Sequence, residues 1–96
     1  MTKADIVKNK TAQTGVDKTD VQMIAEKFMD EIKNSLQNNN NVYLRGFGSF
    51  IIKTRAEKTG RNISKNTAVI IPAHNIPAFK PSKTFVKSVK QNVPIG

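Results

Sequence analysis

Residues 45–72, RGFGSFIIKTRAEKTGRNISKNTAVIIP, read as one long β-ribbon that carries basic side chains and too little apolar surface to pack as a core. A ribbon of that kind is unfinished without a partner, and its charge restricts the partner. From Val42 to the end, ten Lys or Arg stand against one acid, Glu57, whereas the first 41 residues balance six Lys with six acids. The formal excess of +9 therefore sits on the ribbon and on the segments around it in the second half of the chain. Such segregation points to a polyanion, most simply nucleic acid.

Ninety-six residues make one domain, and a chain this short buries a modest share of its surface, the more so if an arm projects from it. Self-association is the expected remedy. With no Cys there is neither a disulfide framework nor a thiolate metal site, which suits a reducing cytoplasm. The single His, His74, cannot build a metal cluster alone and reads as a surface residue. The start, MTKADIVKNK, lacks the apolar run of a signal peptide, and no stretch approaches the roughly 18 apolar residues of a membrane span. A soluble, cytoplasmic protein is expected, and the sequons at Asn9 and Asn62 then arise by chance.

Local signals divide the chain. Thr2 with Asp5 fits a capping box, so a first helix is predicted from Lys3 to about Thr14, stopped by Gly15. Its inward face is thin, because Lys10 and Thr11 come a turn after Ile6 and Val7. Asp17 can cap a second helix, along which Val21, Ile24, Ala25, Phe28, Ile32 and Leu36 recur at steps of three and four. The run from Gln37 to Asn41 ends that helix, since Asn tolerates the left-handed conformation. Val42–Arg45 then reads as a strand, Gly46-Phe47-Gly48 as a tight turn, Ser49 to about Arg55 as a second strand and Thr67–Ile71 as its return, ended by Pro72. Between them Thr59–Asn66 is the predicted tip, polar except for Ile63. After Ile76–Pro81, Ser82 caps a last helix with Phe85, Val86 and Val89 inward and Lys83, Lys87 and Lys90 outward. The order is α+β.

These residues resemble a known family. Arg45-Gly46-Phe47-Gly48-Ser49-Phe50, then Gly60-Arg61-Asn62 at a ribbon tip, then Ile71-Pro72-Ala73 and Phe79-Lys80-Pro81-Ser82-Lys83 are similar to the bacterial HU and integration host factor family of DNA-bending proteins. The resemblance spans essentially the whole chain. It implies an intertwined dimer of helical bases with a β-sheet saddle and two protruding arms that curl around DNA in the minor groove with an apolar wedge at each tip. One domain, 1–96, would comprise a helical dimerisation part (1–41), a β-sheet (42–80) with its arm at about 53–72, and a C-terminal helix (82–92). Two departures stand out: Ile63 where the family usually has Pro after Arg-Asn, and Ser82 where it often has Gly.

On this footing the expected DNA contacts are Lys53, Arg55, Lys58 and Lys65 to phosphates and Arg61, Asn62, Ile63 and Ser64 at the minor groove. Lys3, Arg45, Gly46, Gly48, Lys80, Ser82, Lys83 and Lys87 complete the expected DNA-binding set. The expected dimer core is Ile24, Phe28, Ile32, Leu36, Leu44, Phe47, Phe50, Phe79 and Phe85. Gly46 and Gly48 do not form a dinucleotide loop, because the third Gly and the helix that should come after it are missing. Catalysis lacks its parts: beyond Asn41 there is one carboxylate, one His and no thiol. No catalytic residue, metal, cofactor or small-molecule substrate is expected. The expected partners are a second copy of the chain and double-stranded DNA, bent, nicked or distorted duplex preferred, in the nucleoid. A site-specific bender like integration host factor and, from another class, a small basic RNA-binding or ribosomal protein are the alternatives. The RNA reading needs exposed stacking aromatics, and a membrane-surface role needs a helix face that the core does not use.

Overall fold

A computed structural model describes residues 1–62 and 67–96. The chain divides into two compact units, Met1–Ser35 and Leu36–Gly96. In the first, α1 (Lys3–Thr14) starts at a capping box: the Asp5 amide donates to Thr2 Oγ1 at 3.3 Å and the Thr2 amide donates to Asp5 Oδ2 at 2.9 Å. That bond from the Thr2 amide, with a second from the Thr2 hydroxyl to the same oxygen at 3.1 Å, holds the Asp5 carboxyl below its ordinary value. Gly15 ends α1 at φ 73°, its amide donating to the Thr11 carbonyl. Lys10 reaches Gln13 Oε1 at 2.8 Å and stays exposed.

Helix α2 (Lys18–Gln37) begins where the Asp17 carbonyl accepts from the Val21 amide, and Asn39 closes it in the left-handed region at φ 63°. Its apolar stripe is open. Ile24 is 63% and Phe28 53% exposed, and Val7 of α1 is the only large side chain fully buried among the described residues. An apolar cavity of about 710 Å³ gapes between the two helices, lined by Ile6, Val7, Val21, Ile24 and Phe28.

In the second unit β1 (Val42–Leu44), β2 (Gly48–Arg55) and β5 (His74–Pro81) form an antiparallel sheet in the order β1-β2-β5. A second, two-stranded sheet pairs β3 (Lys58–Asn62) with β4 (Thr67–Ile71). This corrects the sequence reading twice. The return partner of β2 is β5, which the sequence reading includes in its 42–80 sheet but does not distinguish as a strand; it contains Pro77 and Pro81. They are tolerated because β5 is an edge strand. Pro77 faces Ile52, whose amide points the other way, to Asn41, so this pair exchanges no hydrogen bond. The strand β3 also runs into the predicted tip, with pairing as far as Asn62 and Thr67. The ribbon is interrupted on both sides at one level, by Ala56-Glu57 and by Pro72-Ala73, between the pairs Arg55–His74 and Lys58–Ile71.

Alternation along the strands sorts their side chains. Val42, Phe50 and Phe79 share one face; there the rings of Phe50 and Phe79 lie 5.0 Å apart, and Phe47 reaches Phe79 at 4.9 Å and Phe85 at 5.6 Å. Gly46 makes the turn at φ 80°. Gly48 has a different task from the turn predicted for it: a Cβ there would stand 2.6 Å from both the Lys80 carbonyl oxygen and the Phe79 ring, so only Gly lets β5 approach. Helix α3 (Lys83–Asn92) is capped by Ser82, whose Oγ accepts from the Phe85 amide at 3.2 Å.

Candidate nucleic-acid interface

The face opposite the Phe cluster carries the cations. Register places Tyr43, Ser49 and Lys80 in one row across the three strands, Ile51 with Ala78 in the next, then Lys53 with Ile76 and Arg55 with His74. Three basic residues separated by up to 27 positions in sequence thus share one surface, as period-two alternation requires. Beyond the interruption β3 opens with Lys58, exposed and paired with Ile71. On β4, Val69, Ile70 and Ile71 are exposed, so the arm offers one basic and one apolar strand.

At the base of this face lies an open cleft of about 600 Å³ lined by Tyr43, Arg45, Gly46, Lys80, Ser82 and Lys83 among others. One backbone bond joins two of its walls: the Ser82 amide donates to the Phe47 carbonyl at 2.9 Å, tying the glycine turn to the start of α3. Helix N-termini favour anions, so Lys83 and the first-turn amides of α3 act in the same sense as Arg45 and Lys80. Among the described residues no acid lies within ion-pair distance of Arg45, Lys53, Arg55, Lys58, Lys80 or Lys83. Their field is uncompensated from within the unit, and a cleft focuses it.

Lys3 differs. Its Nζ lies 3.0 Å from Glu26 Oε1, the only ion pair among the described residues, and that bond holds the Glu26 carboxyl below its ordinary value, aided by Gln22. Lys87 lies a turn into α3 and does not line the cleft. Ile63, Ser64 and Lys65 lie outside the described residues, as do the side chains of Arg61 and Asn62. The cleft also contains Tyr43 and Ser49, which the sequence reading omits; the signal was the alternation of β1 and β2, readable once their register is known.

His74 Nδ1 lies 2.9 Å from the Pro72 carbonyl oxygen, a local contact at the interruption. Among the described residues no three His, Cys, Asp or Glu gather as metal ligands, and no helix is long and apolar enough to cross a membrane.

With this geometry in view, comparison with known proteins is direct. The family model described as "Bacterial DNA-binding protein" matches residues 1–90. DNA-binding protein HU of Thermus thermophilus is 35% identical over 91 residues, covering 95% of this chain and 94% of that protein. Integration host factor subunit beta of Marinobacter nauticus is 34% identical over 97 aligned positions, covering 100% of this chain and 99% of its own. Among solved structures, an Anabaena HU–DNA cocrystal superposes with a TM-score of 0.88 at 30% identity, covering 94% of this chain and 98% of that one. The chain belongs to the bacterial DNA-binding protein family that contains HU and integration host factor.

Proposed function

We propose that the chain is an architectural protein of the nucleoid, a homodimer that binds double-stranded DNA with little base specificity and bends it through two minor-groove arms. The observation that carries this reading is the sorting of Arg55, Lys53 and Lys80 onto one uncompensated face that leads into the cleft at Arg45, Ser82 and Lys83. Groups that neutralise phosphates without reading base edges give affinity without sequence preference. A minor-groove arm adds little discrimination, because that groove shows a degenerate pattern.

The homodimer is supported by the open stripe of α2, since an apolar face at this exposure is stable only when another apolar surface covers it. In this reading residues 1–41 dimerise, 42–80 with the arm grip DNA, and 82–92 present a helix start to phosphate. The bound duplex is preferred bent or nicked, because the deformation is then already made. No enzymatic activity is proposed.

A second reading, a site-specific bender, is favoured by Arg45 in the cleft beside the glycine turn and by near-equal identity to HU and integration host factor relatives. Nuclease footprinting on long mixed-sequence DNA separates the two. Uniform protection with a log affinity that falls against log salt at a slope of about −5 to −9 is expected of the first. A discrete protected window supports the second, and tighter binding to single-stranded RNA would defeat both.

A further inference from the structure

Tyr43 is the only tyrosine of the chain, and it is 72% exposed on β1. A ring so open contributes nothing to a core. Alternation turns it away from the Phe cluster, onto the row of Ser49 and Lys80, where it lines the basic cleft with Arg45 and Lys83.

Its hydroxyl is nevertheless steered. The Ile52 amide donates to Asn41 Oδ1 at 3.1 Å, and because a backbone N–H can only donate, this bond fixes which way the Asn41 side-chain amide is turned. The amide nitrogen then faces Tyr43 and donates to Oη at 3.4 Å. An NH₂ group cannot accept, so the phenolic proton must be given to something else. Asn41 is the only side chain bonded to that hydroxyl among the described residues. A backbone group on β2 thereby sets the hydrogen-bond polarity of a ring on β1: the hydroxyl accepts from Asn41 and keeps its own proton to give elsewhere.

We propose that the Tyr43 hydroxyl donates to a DNA phosphate oxygen held in the cleft by Arg45, Lys80 and Lys83, with Asn41 as its positioning residue. The proposal rests on the DNA-binding reading above. Phosphate oxygens accept and never donate, which matches the one unused function of the hydroxyl, and a bond to an anionic oxygen is stronger than one between neutral groups. Tyrosine is among the side chains that contact DNA phosphates. Base stacking is the poorer fit, since stacking platforms combine successive rings and Tyr43 brings the one aromatic ring that lines this cleft.

The test uses the full chain and a mixed-sequence duplex titrated over a salt series, with a melt of the free protein. Tyr43→Phe keeps the ring and removes only the proton donor. Expected is a Kd raised about five- to tenfold at every salt concentration, with the slope of log Kd on log salt unchanged, because a neutral hydroxyl releases no counterion. The melt should match that of the parent. Asn41→Asp keeps an oxygen on the Ile52 amide but turns a second one to Tyr43, capturing its proton; in that background Tyr43→Phe should change Kd by less than about twofold. Binding by Tyr43→Phe within about twofold of the parent, or a shifted melt or altered salt slope, overturns the proposal. A parent chain that fails to bind duplex overturns the DNA reading itself, and that result appears before any variant is made.

Discussion

Helix α2 and strand β2 each present a one-sided surface, but different things can cover them. Along α2 the exposed groups are Ile24 and Phe28, in a region whose charges balance. Across β2 and β5 they are Lys53, Arg55 and Lys80, in a region with one acid. Apolar area is non-directional and is satisfied by another apolar surface, whereas cations sharing a face repel until an anion arrives. In the proposed function the same chain is therefore incomplete twice, once toward a second copy and once toward DNA. Stability and binding should be separable by substitution, and variants that always moved both together would refute that separation.

The largest effect is expected at Phe28→Asp. A charge on the open stripe would be buried without a partner in the dimer, at a cost of several kcal/mol, and the chain should be unfolded or monomeric at micromolar concentration. Sedimentation and circular dichroism read this directly. The parent should show a Tm that rises with protein concentration, and a concentration-independent Tm would remove the apolar half of the contrast.

Gly48→Ala is a deliberate exception, since it lies in the basic half yet should damage folding. The added Cβ meets a backbone oxygen and the Phe79 ring at 2.6 Å, so a loss of about 1–3 kcal/mol in denaturant melts is expected. A melt equal to the parent's would show that β2 and β5 can move apart freely.

Lys80→Ala should do the reverse. Stability should stay within about 0.5 kcal/mol of the parent, while the salt slope of duplex binding falls by about one for each site lost. Ile63→Ser carries the same contrast to the arm: an apolar side chain that wedges between base pairs contributes to bending and not to charge neutralisation. The bend angle should drop with the slope unchanged.

The smallest effect belongs to the Lys3–Glu26 pair. Both partners are about half exposed, and exposed pairs contribute little to stability. Because the Glu26 carboxyl titrates below its ordinary value in the folded chain, its contribution is fully present above the ordinary value and is lost as pH falls through the folded one. Melts of the parent and Glu26→Gln should differ slightly near neutral pH, where the pair is intact, and converge as pH falls through the folded value of Glu26. A large difference at neutral pH would mean the pair does more than its exposure allows, and a gap that widened in acid would contradict the lowered Glu26 carboxyl.

What was legible in the sequence was whatever local chemistry decides. Thr2 with Asp5, Gly15, the Asn run and Ser82 marked the helix ends because capping is settled within four residues, and Asn39 takes the left-handed conformation that reading required. Strand β5 was not legible, since Pro77 and Pro81 are acceptable only at a sheet edge, and edge position is a property of the assembled sheet. The paired interruption at Ala56-Glu57 and Pro72-Ala73 needs register, which no single strand contains. Motif residues such as Arg45, Lys80 and Lys83 could be named from resemblance, and the structure brings them to one cleft. Tyr43 could not, because its role depends on which face of β1 it occupies. Gly48 was seen as a turn residue, and its crowding against Phe79 appears only in three dimensions.

The proposed function stands or falls on whether the basic face bends duplex DNA as well as holding it. A duplex labelled at both ends with a fluorescence donor and acceptor, titrated with the full chain at several salt concentrations, tests both parts at once. End-to-end transfer should rise on saturation, with a midpoint whose logarithm shifts against log salt at a slope of about 5 to 9. Saturable binding with unchanged transfer would show a protein that grips without bending, and a slope shallower than about 2 would contradict the basic face as the binding surface.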